Sequence, residues 1–374
     1  MKRLCCLAGL LLLSASSSGA EADEWRSSAQ MARAAKDLLE TLEPNQREAV
    51  RFPLEAGERA NWSNLPIMIV DPSGLLLKDM NDTQRKAVQA LLRASMSSQG
   101  YAKFSGVMRL EELLRELAQA QWEATAEVER TPFRKALLET RDPTKYAVAV
   151  FGEPGSANWG WKLVGHHAAA NFTVSDGRVA FTPTFLGSSP MVVESGPYAG
   201  TMVLPHEGAR GIDLMEALTP AQQAKARVDE NPAGGIFDGP GRQASVSEYE
   251  GLAASEFNAD QKRLLRVLVE EYVRNADFDA ADAQLKAIAD AGWDALWFSW
   301  RGPIDADGRF YYRVHGPRLL IEYNRQDENH DHMIVRDPQN DYGADWLGKH
   351  LEEHHPTGEQ IRETMQERFG PPPD

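Results

Sequence analysis

Stretches from the first half of this chain return, in the same order, in the second half, and this echo constrains the fold more than any other feature. "LEPNQREAV" (42–50) matches "LTPAQQAKA" (218–226), each a helix opening with proline in its first turn. "MNDTQRKAVQALLRA" (80–94) matches "FNADQKRLLRVLVEE" (257–271), with Asn ahead of a Gln-Arg or Gln-Lys pair and an apolar face at helical spacing. A third helix follows in each half, "MRLEELLRELAQAQWEA" (108–124) and "DFDAADAQLKAIADAG" (277–292). Both halves then turn to strand-like sequence. The first reads "KYAVAVFGEP…WGWKLVGHHAAANFTVSDGRVAFTPTF", where Asp176-Gly177 is a two-residue hairpin turn. The second reads "DALWFSWRGP…GRFYYRVHGPRLLIEYNRQDENHDHMIVRDP". Aligning Gly165 with Gly316 sets Trp161 on Tyr312, Asn171 on Glu322 and Phe172 on Tyr323. The expected class is α+β, with two related units, each a helical layer packed on an antiparallel β-sheet.

The boundaries follow. Residues 1–20 read as a signal peptide, with Lys2 and Arg3, an apolar run from Leu4 to Leu13, and Ser18-Gly19-Ala20 for cleavage. The first unit takes 21–205. The second takes 206–374, including a C-terminal helical tail that stops at Gly370 and three prolines. Cys5 and Cys6, the two cysteines of the chain, fall inside the signal, so the mature protein has no thiol chemistry. The expected location is outside the cytoplasm, periplasmic or secreted, with no membrane contact after cleavage. A formal net charge of −15 opposes approach to nucleic acid or anionic lipid. "NPAGGIFDGPGRQASVSEYEG" (231–251) is a long loop inside the second unit, of the kind that carries function or is disordered.

The blocks "QGYAK", "RLEELLREL", "FGEP…WGWKLVGHHAAANFTV", "YYRVHGPRLLIEY" and "NHDHMIVRDPQNDYG" resemble an exported bacterial family catalogued as domain of unknown function 3500. The resemblance covers nearly all of the mature chain and implies no settled reaction. It also implies Asn-His-Ile-His, then an aromatic and Arg-Asp, across 329–337. This chain departs from that pattern with Asp331 and Val335, while keeping His330, His332, Arg336 and Asp337.

Strand parity places these groups. In "RLLIEYN" (318–324), Glu322 and Asn324 point away from Leu319, Ile321 and Tyr323. His330, His332 and Arg336 share one face of the next strand. With 325–329 as the loop, Asn324 pairs with His330 and Glu322 with His332. A slip of one residue would send the histidines to the other side. His315 and Arg313 join the same face from the strand before, and His167 joins it if the two sheets meet.

Two imidazoles at i and i+2 on a strand can reach one ion, and a carboxylate completes a three-ligand set. His330, His332 and Glu322 are therefore the expected ligands of one divalent metal, zinc, iron or copper. His167 or His315 would act as base or fourth ligand, and Arg336 would hold the substrate. That points to a metal-assisted hydrolase acting on a small polar or anionic substrate. The competing reading is a non-catalytic periplasmic ligand-binding or scaffold protein with an Arg- and aromatic-lined surface, using Arg313, Arg318 and Arg336 to grip an anion. No nucleophile elbow, phosphate loop or dinucleotide fingerprint occurs in the chain. "WGW" (159–161), Trp297 and Trp300 read chiefly as core aromatics.

Overall fold

A computed structural model describes residues 26–354, apart from 68, 71, 133, 134, 136, 137, 140, 197 and 243. The segment read as a signal peptide and the tail from 355 onward lie outside the described residues. Among these, no helix is long and apolar enough to cross a membrane.

The first half forms helices α1 (Ser27–Thr41), α2 (Pro44–Val50), α3 (Asp82–Ser95) and α4 (Ser98–Ala124). Its strands are β1 (Arg51–Phe52), β2 (Leu75–Leu76), β3 (Ala147–Gly152), β4 (Asn158–Gly165), β5 (Ala168–Ser175), β6 (Arg178–Ala180) and β7 (Thr184–Ser188). The second half forms α5 (Glu207–Glu216), α6 (Pro220–Ala226), α7 (Ala259–Val273), α8 (Phe278–Ala291) and α9 (Ala344–His354). Its strands are β8 (Arg227–Asp229), β9 (Leu252–Ala253), β10 (Trp297–Arg301), β11 (Tyr311–Gly316), β12 (Leu319–Asp327) and β13 (His330–Arg336).

Local chemistry sets the helix starts. Asn81 Oδ1 accepts from Gln84 N at 3.0 Å while Gln84 Oε1 accepts from Asn81 N at 2.9 Å, a reciprocal cap for α3. Asn258 and Gln261 make the same pair of bonds, at 3.0 and 2.9 Å, for α7. The caps also tie helices together. Gln84 Nε2 donates to Thr41 O and Gln46 Oε1, as Gln261 Nε2 donates to Ala217 O and Gln222 Oε1. The Asp176-Gly177 turn forms as expected, with φ of 47° and 78° between β5 and β6.

All the strands belong to one sheet, whose main path runs β1-β3-β4-β5-β7-β13-β12-β11-β10-β8. Two antiparallel sheets were the expectation, and the fold departs from it twice. β7 and β13 pair antiparallel, Met333 opposite Leu186, so the strands of the two halves fuse. Each strand thereby covers an edge that would otherwise leave backbone groups unpaired. In addition, β1 runs parallel to β3 and β8 parallel to β10, which makes the sheet mixed.

One face of the sheet packs under the helices. Trp161, Leu163, Phe172, Tyr312, Ile321, Tyr323, Met333 and Val335 point into that main core. Trp161 stacks on Phe172 with ring centres 5.0 Å apart, and Tyr312 on Tyr323 at 5.3 Å. The opposite face carries Lys162, Asn171, Arg313, Glu322, Asn324, His332 and Arg336, all buried. Buried polar groups need partners, and two long connections supply many of them. Lys162 Nζ donates to Asn61 O at 2.5 Å and to Glu58 O, and Asn324 Nδ2 donates to Ala233 O at 3.0 Å. Trp62, Phe185, Ile236, Ile334 and Tyr342 make a smaller apolar cluster beneath these loops.

Candidate metal centre

The β4–β5 hairpin turns on His166 and His167, and the fused sheet brings that turn beside the start of β13. His167 adopts φ 59°, a left-handed conformation that costs a non-glycine residue about 1 kcal/mol. Its neighbours hold it there: His167 N donates to Asn64 O at 3.2 Å and its carbonyl accepts from Gly187 N at 2.7 Å. The ring is thereby aimed at β13. His330 Nε2 lies 3.1 Å from His167 Nε2 and 2.9 Å from His332 Nε2. The coordinating atoms of the three residues all fall within 4.8 Å of one another.

Burial favours the neutral form of all three imidazoles. His332 is pushed down to about 3, by desolvation first and then by His330 and His166. His167 lies well below its ordinary value for the same leading reason, and His330 is lowered in spite of Asp327. Neutral imidazole offers one lone pair, so the cluster presents lone pairs that converge. Gly187 leaves room for them: a Cβ there would stand 2.6 Å from His332 Cδ2 and 3.2 Å from His167 Cδ2.

A carboxylate completes the surroundings from the helical side. Glu111 on α4 is fully buried, and its Oε1 lies 2.5 Å from His166 Nδ1. His166 in turn stacks on His167 with ring centres 3.8 Å apart. Carboxylate, His166 and His167 form a second triad that shares His167 with the first. A carboxylate behind an imidazole fixes its tautomer and orientation.

His332 also lines a cavity of about 520 Å³ on the loop-covered face. Asn61 to Leu65 and Val70 wall it on one side, Gly235, Ile236 and Pro240 to Arg242 on the other. Phe185 and Gln326 contribute to the lining as well. The first long loop and the second thus meet over the seam between β7 and β13.

Other residues singled out in the sequence lie elsewhere. Glu322 shares the histidine face, but the strands continue to Asp327 and His330 around a shorter turn than 325–329, with a bulge between Arg325 and Asp327, so Asn324 faces His332 and Glu322 faces Ile334. Its carboxylate, raised chiefly by burial, accepts from Phe237 N at 2.7 Å, Asp238 N at 2.8 Å and Tyr311 OH at 2.7 Å. It anchors the second loop and is not joined to the histidines. His315 packs edge-on against Tyr249, 4.6 Å between ring centres, with its pKa lowered to about 4 mainly by burial. Arg336 is buried, donating from Nη1 to Asp341 Oδ2 at 2.6 Å and from Nε to Asp238 O at 2.9 Å. Arg318 pairs with Asp337 at 2.8 Å. Asp331, between the two histidines, points to the helical face, where Tyr323 OH donates to it at 3.0 Å.

Glu111, Gly187 and the cavity walls escaped the sequence reading. Glu111 had a signal: it sits in the apolar stripe of Phe104, Val107 and Met108, where an unaccompanied carboxylate needs a reason.

An α+β protein with a histidine cluster at the seam of one long sheet is the class that fold and site define. Residues 24–344 match the family described as protein of unknown function (DUF3500), and the chain belongs to it. No curated protein and no solved structure matches the chain.

Proposed function

We propose that His167, His330 and His332 bind one divalent metal ion, and that the bound ion activates water against a small anionic substrate held in the adjoining cavity. The observation that carries this reading is the convergence of three Nε2 atoms. Two nitrogens bound to one tetrahedral zinc at about 2.0–2.1 Å stand roughly 3.3 Å apart, close to the 2.9 and 3.1 Å found. A proton can sit between one pair of neutral imidazoles. A cation satisfies all three.

Three protein nitrogens leave a coordination position for water, whose pKa a bound ion lowers toward neutrality. Substrate contacts come from the cavity: Trp62 and Phe185 for an apolar body, Asn64 and Gln326 for polar groups, Arg242 for negative charge. A ligand site that joins Arg313 to Arg318 and Arg336 is less well supported, because Arg318 and Arg336 pair with the buried carboxylates of Asp337 and Asp341.

The same proposal treats the halves as related units. The parallel pairings of β1 with β3 and β8 with β10, and the matching Gln-to-Gln bonds, support it. Export rests on residues 1–20.

Elemental mass spectrometry on untagged protein, purified without chelating resin, tests the metal. Near-stoichiometric zinc, iron or copper is expected. Combining His330→Ala with His332→Ala should abolish it while moving the melting temperature of the metal-free protein by only a few degrees. Protein that stays metal-free after incubation with each ion sinks the reading.

A further inference from the structure

Away from the histidines, the loop-covered face of β10 and β11 holds more hydrogen-bond donors than its neighbours satisfy. Ser299 and Arg313 are directly paired across the strands, with Arg301 opposite Tyr311 on the same face. Ser299 is 1% exposed and Arg313 4%. Ser299 Oγ, Arg301 Nε and Arg313 Nε are all buried without a partner.

A single carboxylate oxygen serves both guanidinium groups. Glu250 Oε2, from the end of the second loop, accepts from Arg301 Nη2 at 3.0 Å and from Arg313 Nη2. Glu322 beside Arg313 already accepts from three other donors, and Asp229 Oδ2 accepts only a long bond, 3.5 Å, from Arg301 Nη1. The Arg301 Cζ stands over the Phe237 ring, 5.3 Å from its centre. Two arginines thus converge on one oxygen, and Ser299, the cross-strand neighbour of Arg313, adds a buried hydroxyl without a partner. Buried donors left without acceptors are destabilising, and guanidinium forks suit oxyanions with several acceptor oxygens.

We propose that Arg301, Arg313 and Ser299 form a binding site for a tetrahedral oxyanion of the phosphate class, which Glu250 occupies until the anion displaces it. Four oxygens would serve the donors that one carboxylate oxygen leaves unused. Glu250 is the displaceable part, 38% exposed at its side chain and carried by a loop rather than a strand. The same loop supplies Ile236 and Arg242 to the cavity above His332, so displacement of Glu250 would free one end of the cavity roof.

Calorimetric titration of the untagged full chain with inorganic phosphate tests the site, run with and without a chelator. Wild-type protein should bind weakly. Glu250→Gln removes the competing charge and should bind at least ten-fold tighter, in chelator as well as without it. Adding Arg301→Gln to that variant should abolish the gain. Glu250→Gln protein that binds no tighter than wild type overturns the proposal, since its donors would then be served by water alone. Binding that vanishes with chelator also overturns it, by assigning the phosphate to a metal at the histidines. The histidine reading itself is judged by metal content, so the two can fail separately.

Discussion

At Gly187 one hydrogen atom on Cα stands where any other residue would carry a methyl group, and the two nearest imidazoles fill that space. Gly187→Ala would force His332 aside by more than half an ångström, and overpacking of this kind costs about 1–3 kcal/mol. The expected outcome is a metal affinity lowered roughly 10- to 100-fold, the range seen when support around a ligand is disturbed, measured by competition with a coloured chelator. Lys162 gives a second test, by pH. Burial lowers its ammonium from 10.5 to about 8 in the folded protein. Between those values the unfolded chain holds the proton and the folded chain releases it, so this residue makes stability rise with pH from about 8 to 10.5. Lys162→Met should show a shallower rise than wild type across that window in urea titrations. Identical slopes would mean that the ammonium stays charged in the folded state.

Helix caps and strand registers differ in how far the sequence reveals them. The Asn-x-x-Gln pairs at 81–84 and 258–261 are local, so the amino acids alone announce both helix starts. Gln84→Ala and Gln261→Ala each leave a carbonyl and a backbone N–H without their partner, and each should cost about 1–3 kcal/mol. The two losses should agree closely in urea unfolding if the matching bonds do equivalent work. Parity in β12 and β13 was equally legible, because side-chain alternation survives any even shift. Pairing was not: the strands run on to Asp327 and His330 around a shorter turn, with a bulge that keeps the parity, so the partner of Glu322 is Ile334 and not His332. His167 could be assigned to the histidine face only on condition that the sheets meet. That condition depends on β7, whose five residues carry too little alternation to declare a neighbour 147 positions away across the Leu186–Met333 pair. Glu111 lay further still from view, since its partner His166 sits in a hairpin on the far side of a helix–sheet interface.

Across the described residues, the seam between β7 and β13 and the bonds between helices of the two halves, such as Ser97 Oγ to Arg274 O, make one body. Thermal unfolding should therefore be a single transition, seen alike by near-ultraviolet and far-ultraviolet circular dichroism. Metal should raise it as a unit, by about 2.7 kcal/mol at a hundred-fold excess of free ion over Kd. Two resolved melts, with metal moving one alone, would contradict this. The seam also bears on the order of events when the chain folds. His167 and His330 are 163 residues apart, and closing so long a loop comes late because its entropy must be spent before distant contacts repay it. A histidine cluster assembled from both sides of that loop does not exist in either half while it is still alone. Capture of an ion during refolding is thus a clock for the last step, and it should lag behind the recovery of helical signal rather than coincide with it.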